Sequence, residues 1–218
     1  MQLTTSQRRI FFNCFRQMLY FIFSLGFVFF LRVLSAFYRD KTFLEHGIVE
    51  NLQLLLLSLG AFSFLFQGLI NKKFRPLLYA FSSLFLFALC RELDSFFEKN
   101  IFFIGWKFAY LFPLLSGIYL YTKRKRLKNI LLLFCTSPVF YMMCTAMFIF
   151  IPLAQAIGNR GFIASVLPDA SDVILMRRFI EESGEIMAYF ILLLSSLEFY
   201  ISFIYKSKKS IFQKLLTK

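Results

Sequence analysis

Six apolar runs, each near the ~20 residues that an α-helix needs to cross a ~30 Å hydrocarbon layer, alternate with short polar links. This alternation constrains the chain more than any single motif. The runs lie at about 18–37, 47–70, 76–93, 101–121, 130–156 and 180–205. Lipid offers no hydrogen bonds to backbone N–H and C=O groups, so each segment must satisfy its own. The pattern therefore predicts an all-α, polytopic membrane protein, a bundle of six transmembrane helices forming one integral membrane domain over residues 1–218. A soluble core cannot absorb such runs: 59% of the residues are apolar, 33 are Phe, and mean hydropathy is +0.67, outside the range of soluble domains.

The net charge of +13 would suggest nucleic acid in a soluble chain. Here the bases sit in short runs between apolar segments and form no single face, so they read as topology determinants, and nucleic acid is excluded as a partner. The N-terminus, the 71–75 loop, the 123–128 loop and the tail after Tyr205 hold 16 Lys and Arg and no acid, whereas the opposite side holds 9 bases and 11 acids. The basic side is expected to be cytoplasmic, which puts both termini inside and nearly every carboxylate outside. Those basic runs can also meet anionic lipid headgroups. Arg8-Arg9-Ile10-Phe11 is similar to a twin-arginine export signal, but the apolar run after it is too long for a signal core and ends in Leu34-Ser35-Ala36. An uncleaved first span is expected.

Pro76 suits the first turn of the third span, while Pro138 and Pro152 predict kinks or an early end within the fifth. A turn at Pro168-Asp169 and a cap from Ser171 or Asp172 would precede the sixth. Cys14, Cys90, Cys135 and Cys144 show no paired or metal-ligand spacing and read as buried thiols. Spans two, four and six all end in bases, and Phe43-Leu44-Glu45 echoes Phe179-Ile180-Glu181. Alternating topology alone would give the basic ends.

The chemistry gathers on the acidic side. In the stretch RRFIEESGEIMAY, Arg178, Glu182, Glu185 and Tyr189 fall on one helical face with Glu181 beside them. His46, Glu50 and Gln53 form a stripe at the start of the second span. Arg91-Glu92-Leu93-Asp94 closes the third, with Arg91 and Asp94 sharing a face and Glu98 one turn later. Lys107 follows Trp106 just inside the fourth. A salt-bridge layer that fixes helix packing is one reading of this set, with Arg91, Lys107 and Arg178 neutralising carboxylates. The count opposes it, because Glu50, Glu92, Asp94, Glu181, Glu182 and Glu185 outnumber the three bases. Surplus carboxylates in low dielectric must bind a cation, hold protons or meet water. His46, Glu50, Asp94, Glu182 and Glu185 are the candidate ligands for a divalent metal ion, and a single His among carboxylates suits Mg²⁺, Ca²⁺, Mn²⁺ or iron better than zinc.

Glu181-Glu182 resembles the EExxxR opening of CAAX-type intramembrane proteases, but Ile stands at position 186 and the chain has one histidine, so that family's further histidine motifs cannot form. Zincin, nucleophile-elbow, P-loop and Rossmann signatures do not occur. The order E-x4-E-x2-Q (Glu45, Glu50, Gln53), R-E-L-D (Arg91 to Asp94), G-W-K (Gly105 to Lys107) and E-E-x2-E (Glu181, Glu182, Glu185) resembles a set of uncharacterised bacterial multi-pass inner-membrane proteins. The resemblance implies a bacterial inner membrane and no activity. Two functions stay open at this point. One is a small transporter or membrane-complex component, with lipids and other membrane subunits as partners, that binds a cation, protons or a cationic solute. The other is a metal-dependent membrane enzyme acting on a lipid or isoprenoid-linked substrate at the outer leaflet.

Overall fold

The structure is a computed structural model that describes residues 4–38, 47–100, 105–159, 161–163 and 173–205. All elements among them are helical: α1 (Thr5–Tyr38), α2 (Ile48–Ile70), α3 (Arg75–Glu92), α4 (Asp94–Asn100), a 3-10 turn (Gly105–Tyr110), α5 (Leu111–Thr122), α6 (Arg124–Cys135), α7 (Pro138–Cys144), a π-helical stretch (Thr145–Phe150), α8 (Ile151–Ile157), α9 (Val173–Phe199) and a second π-helical stretch (Tyr200–Tyr205). Four helices are long and apolar enough to cross a membrane: Ile10–Phe37, Ile48–Ile70, Pro138–Ile157 and Met176–Ile204.

The bundle is built around α9. It runs parallel to α2, because Gln53 meets Glu182 near one end and Gln67 meets Ser196 near the other. The segment from α7 to α8 lies antiparallel to α9, with Gly158 against Glu181. The outermost helix, α1, crosses α9 through a stacked pair, Phe27 and Phe190, with ring centroids 4.2 Å apart. Next to α2, α3 packs antiparallel to it, and α5 returns along α3 with Tyr79 beside Tyr119. Most of α1 is exposed, and its Phe11, Phe12, Phe21, Phe23 and Phe29 point outward.

Lipid is as apolar as a leucine side chain, so close fit and hydrogen bonding hold helices together in a membrane. The α2–α3 seam uses both. Phe85 lies against Gly60 and Tyr79 against Gly68, leaving no room for a Cβ at either glycine. Across the same seam the Ser82 hydroxyl donates to the Ala61 carbonyl at 2.9 Å. Phe64, fully buried, is surrounded by Phe81, Phe85 and Phe199 at centroid distances of 5.3, 5.5 and 6.4 Å. Deeper along α9, Gln67 Nε2 donates to the Ser196 carbonyl and the Ser196 hydroxyl meets Ser63, both at 3.0 Å.

Two of the six apolar runs correspond to helices with nearly the expected limits, 47–70 and 76–93, while the helix of the 180–205 run starts earlier, at Val173. The first helix begins earlier, at Thr5, and carries Arg8 and Arg16 inside it. The fourth run divides into the 3-10 turn and the twelve-residue α5. The fifth does not start at Ile130. Ser137 is extended (ψ 154°), α7 begins at Pro138, and the Ser137 hydroxyl accepts from Phe140 N. A residue preceding proline is pushed out of the α region, so Pro138 ends one helix and opens the next. The π-helical stretch lies directly before the turn bearing Pro152, where a regular helix would bring the proline ring against the preceding turn. The cysteine reading needs correction: Cys90 is buried, but Cys14 on α1 and Cys135 at the apolar end of α6 are exposed, and Cys144 is half-buried. A thiol tolerates lipid much as a methyl group does, and so need not be buried in protein. The turn at Pro168-Asp169 and the capping candidates Ser171 and Asp172 lie outside the described residues.

Candidate functional site

The start of α2, the end of α3, α4 and the first half of α9 meet at one end of the bundle. Between them is a cleft of about 540 Å³ lined by Glu50, Arg91, Glu92, Asp94, Ser95, Glu98 and Glu182. Local geometry explains its shape. Leu93 interrupts the helix after Glu92, so α4 starts afresh at Asp94. Gly105 then takes a left-handed conformation (φ 55°) close to the Glu98 side chain. Only glycine adopts that φ without strain.

Arg91 is the centre of the pairing. Its Nη2 donates to Glu92 Oε1 at 3.0 Å and to Glu185 Oε1 at 3.2 Å. The Tyr189 hydroxyl donates to the same Glu92 oxygen at 2.7 Å. Gln155 of α8 lies near Glu185 as well. Glu182 takes a different partner, accepting from Gln53 Nε2 at 2.7 Å. Gln53 is fully buried, and its Oε1 has no hydrogen-bond partner among the described residues.

Helical spacing puts Glu182, Glu185 and Tyr189 on one face, and the structure turns that face toward α2 and α3. Arg91 and Asp94, expected to share a helical face, fall on different helices, since α3 ends at Glu92 and Asp94 opens α4. Asp94 is exposed, and its Oδ1 accepts from the backbone N–H of Ser95. Glu181 turns away from the cleft to pair with Arg177 at 3.0 Å. Arg178 is half-buried on α9, and Glu50 is half-buried in the first turn of α2. Lys107 is exposed on the 3-10 turn and does not line the cleft. His46 lies outside the described residues. Among the described residues, no three His, Cys, Asp or Glu side chains are grouped so as to hold a metal ion. Gln155 and Ser95 were missed by sequence reasoning; Gln155 is the one polar side chain in IPLAQAI, a signal that could have marked it.

A second charged group lies at the other end of α9. Glu198, with no exposed surface, is held by the Arg16 guanidinium through Nε (2.5 Å) and Nη2 (2.7 Å), by the Tyr20 hydroxyl at 3.0 Å and by Ser202. This carboxylate is saturated with donors and ties α1 to α9.

No known protein family, curated protein or solved structure matches the chain.

Proposed function

We propose that this chain is a six-span protein of a bacterial inner membrane with both termini cytoplasmic. Its outward-facing cleft binds a cation, a proton or a cationic solute, so that the protein works as a small transporter or as a component of a membrane complex. One observation carries this reading: five carboxylates and a single base line the cleft. Anionic walls in a recess of low dielectric concentrate positive charge. Arg91 is paired with Glu92 and Glu185 and is outnumbered by the carboxylates that line the cleft with it, which disfavours a phosphate and ranks a phosphate-processing enzyme second.

Binding of methylammonium and of Ca²⁺ to the purified protein in lipid nanodiscs, followed by titration calorimetry, tests the proposal. Glu182→Gln together with Asp94→Asn is expected to lower affinity by about tenfold or more, the size of losing one or two charge-assisted contacts at ~1.5–3 kcal/mol each. Failure of the wild-type protein to bind either ion, or equal binding by the double variant, overturns it.

A further inference from the structure

A second cavity adjoins the acidic cleft. It has a volume of about 250 Å³ and is walled by apolar side chains of α2, α3, α7 and the first π-helical stretch, among them Leu57, Phe85, Ala88, Met143 and Met147. Arg91 lines both spaces, and Tyr189 closes the apolar one on the α9 side. At that boundary Arg91 Nη2 is held by Glu92 and Glu185 and the Tyr189 hydroxyl by Glu92. The rest of the second cavity's lining is methyl, methylene and aromatic surface.

We infer that the two spaces form one site for an amphiphile with a cationic amine head in the cleft and a hydrocarbon tail in the adjoining cavity. The inference rests on the cation-binding reading above and names the ligand class for it. Charge complementarity fixes the sign of the head, because a phosphate or sulfate would face Glu50, Glu92, Asp94, Glu98 and Glu182. A primary ammonium suits a cleft lined by carboxylates better than a quaternary one, because its N–H groups can donate to those oxygens. The tail is argued from the second cavity, which a small hydrated cation has no means of using.

Trp106 gives a direct readout. It is the single tryptophan, and its ring lies 6.3 Å from Phe87, which lines the apolar cavity. The probes are a long-chain primary amine brominated on the tail and an alkyl sulfate with the same brominated tail, each added to protein in nanodiscs. The amine is expected to quench Trp106 fluorescence saturably, and methylammonium should compete. The sulfate should give only the non-saturating quenching of any brominated bilayer component. Ala88→Phe fills the cavity, and saturable quenching is expected to disappear while methylammonium binding persists. Met147→Phe narrows the cavity from another wall and repeats the test should Ala88→Phe not fold. Equal quenching by both heads, or saturable quenching retained in a folded cavity-filled variant, overturns the inference. Methylammonium bound by wild-type protein without saturable amine quenching overturns the amphiphile alone. Absence of any cation binding removes the proposed function and this inference with it.

Discussion

Glu198 and Glu185 are both buried carboxylates of α9, yet their surroundings differ. Glu198 has an arginine bound through two nitrogens and two hydroxyl donors. Removing one member of a buried ion pair strands the other and costs roughly 3–5 kcal/mol, whereas replacing both by apolar groups is often close to neutral. Arg16→Met or Glu198→Leu alone is therefore expected to lower the thermal stability of the detergent-solubilised protein markedly. The double variant should recover much of the loss, as melting curves of all three would show. That pairing was not legible in the sequence, because its members lie 182 positions apart and the helix carrying Arg16 starts earlier than hydropathy suggests. Arg91 shows the opposite case. Its level in the bundle was readable from the end of an apolar run, but its partner Glu185 lies 94 positions away on another helix, a pairing that no residue pattern announces.

Among the elements, α2, α3 and α9 were legible because each is an uninterrupted apolar run between polar ends, and hydrophobic length is the strongest signal a membrane helix carries. The fifth run was not legible in detail. Its proline was noticed, but hydropathy is blind to whether a proline bends a helix or begins a new one, and Ser137 with Pro138 does the latter. The α2–α3 seam makes a sharper prediction. Gly60 admits Phe85 against its backbone, so Gly60→Leu must push the helices apart or move the ring, at a cost of about 1–3 kcal/mol for overpacking. Gly26 has open space around it and serves as the control. Gly60→Leu is expected to lower the melting temperature in detergent, and Gly26→Leu to leave it close to wild type.

The charge asymmetry of the whole molecule predicts an orientation that can be measured. In a cysteine-free background, an impermeant maleimide added to intact cells should label Glu98→Cys. It should spare Gln7→Cys and Lys125→Cys until the membrane is permeabilised. Labelling of Lys125→Cys in sealed cells would reverse the orientation and place the cleft inside. Composition and charge are enough to predict this orientation, whereas the depth of the cleft and the cavity beside it depend on how three helices meet. The parallel packing of α2 and α9 has a mechanical consequence. Gln53 and Gln67 each find a partner on α9 exactly as far along the chain, 129 positions on, and the two contacts lie roughly 21 Å apart along the axis. Two pins at that separation act as a ruler: neither helix can slide without breaking both. A change in the width of the cleft that keeps both contacts leaves α2 and α9 in register, and so falls to the remaining wall, the end of α3 and α4.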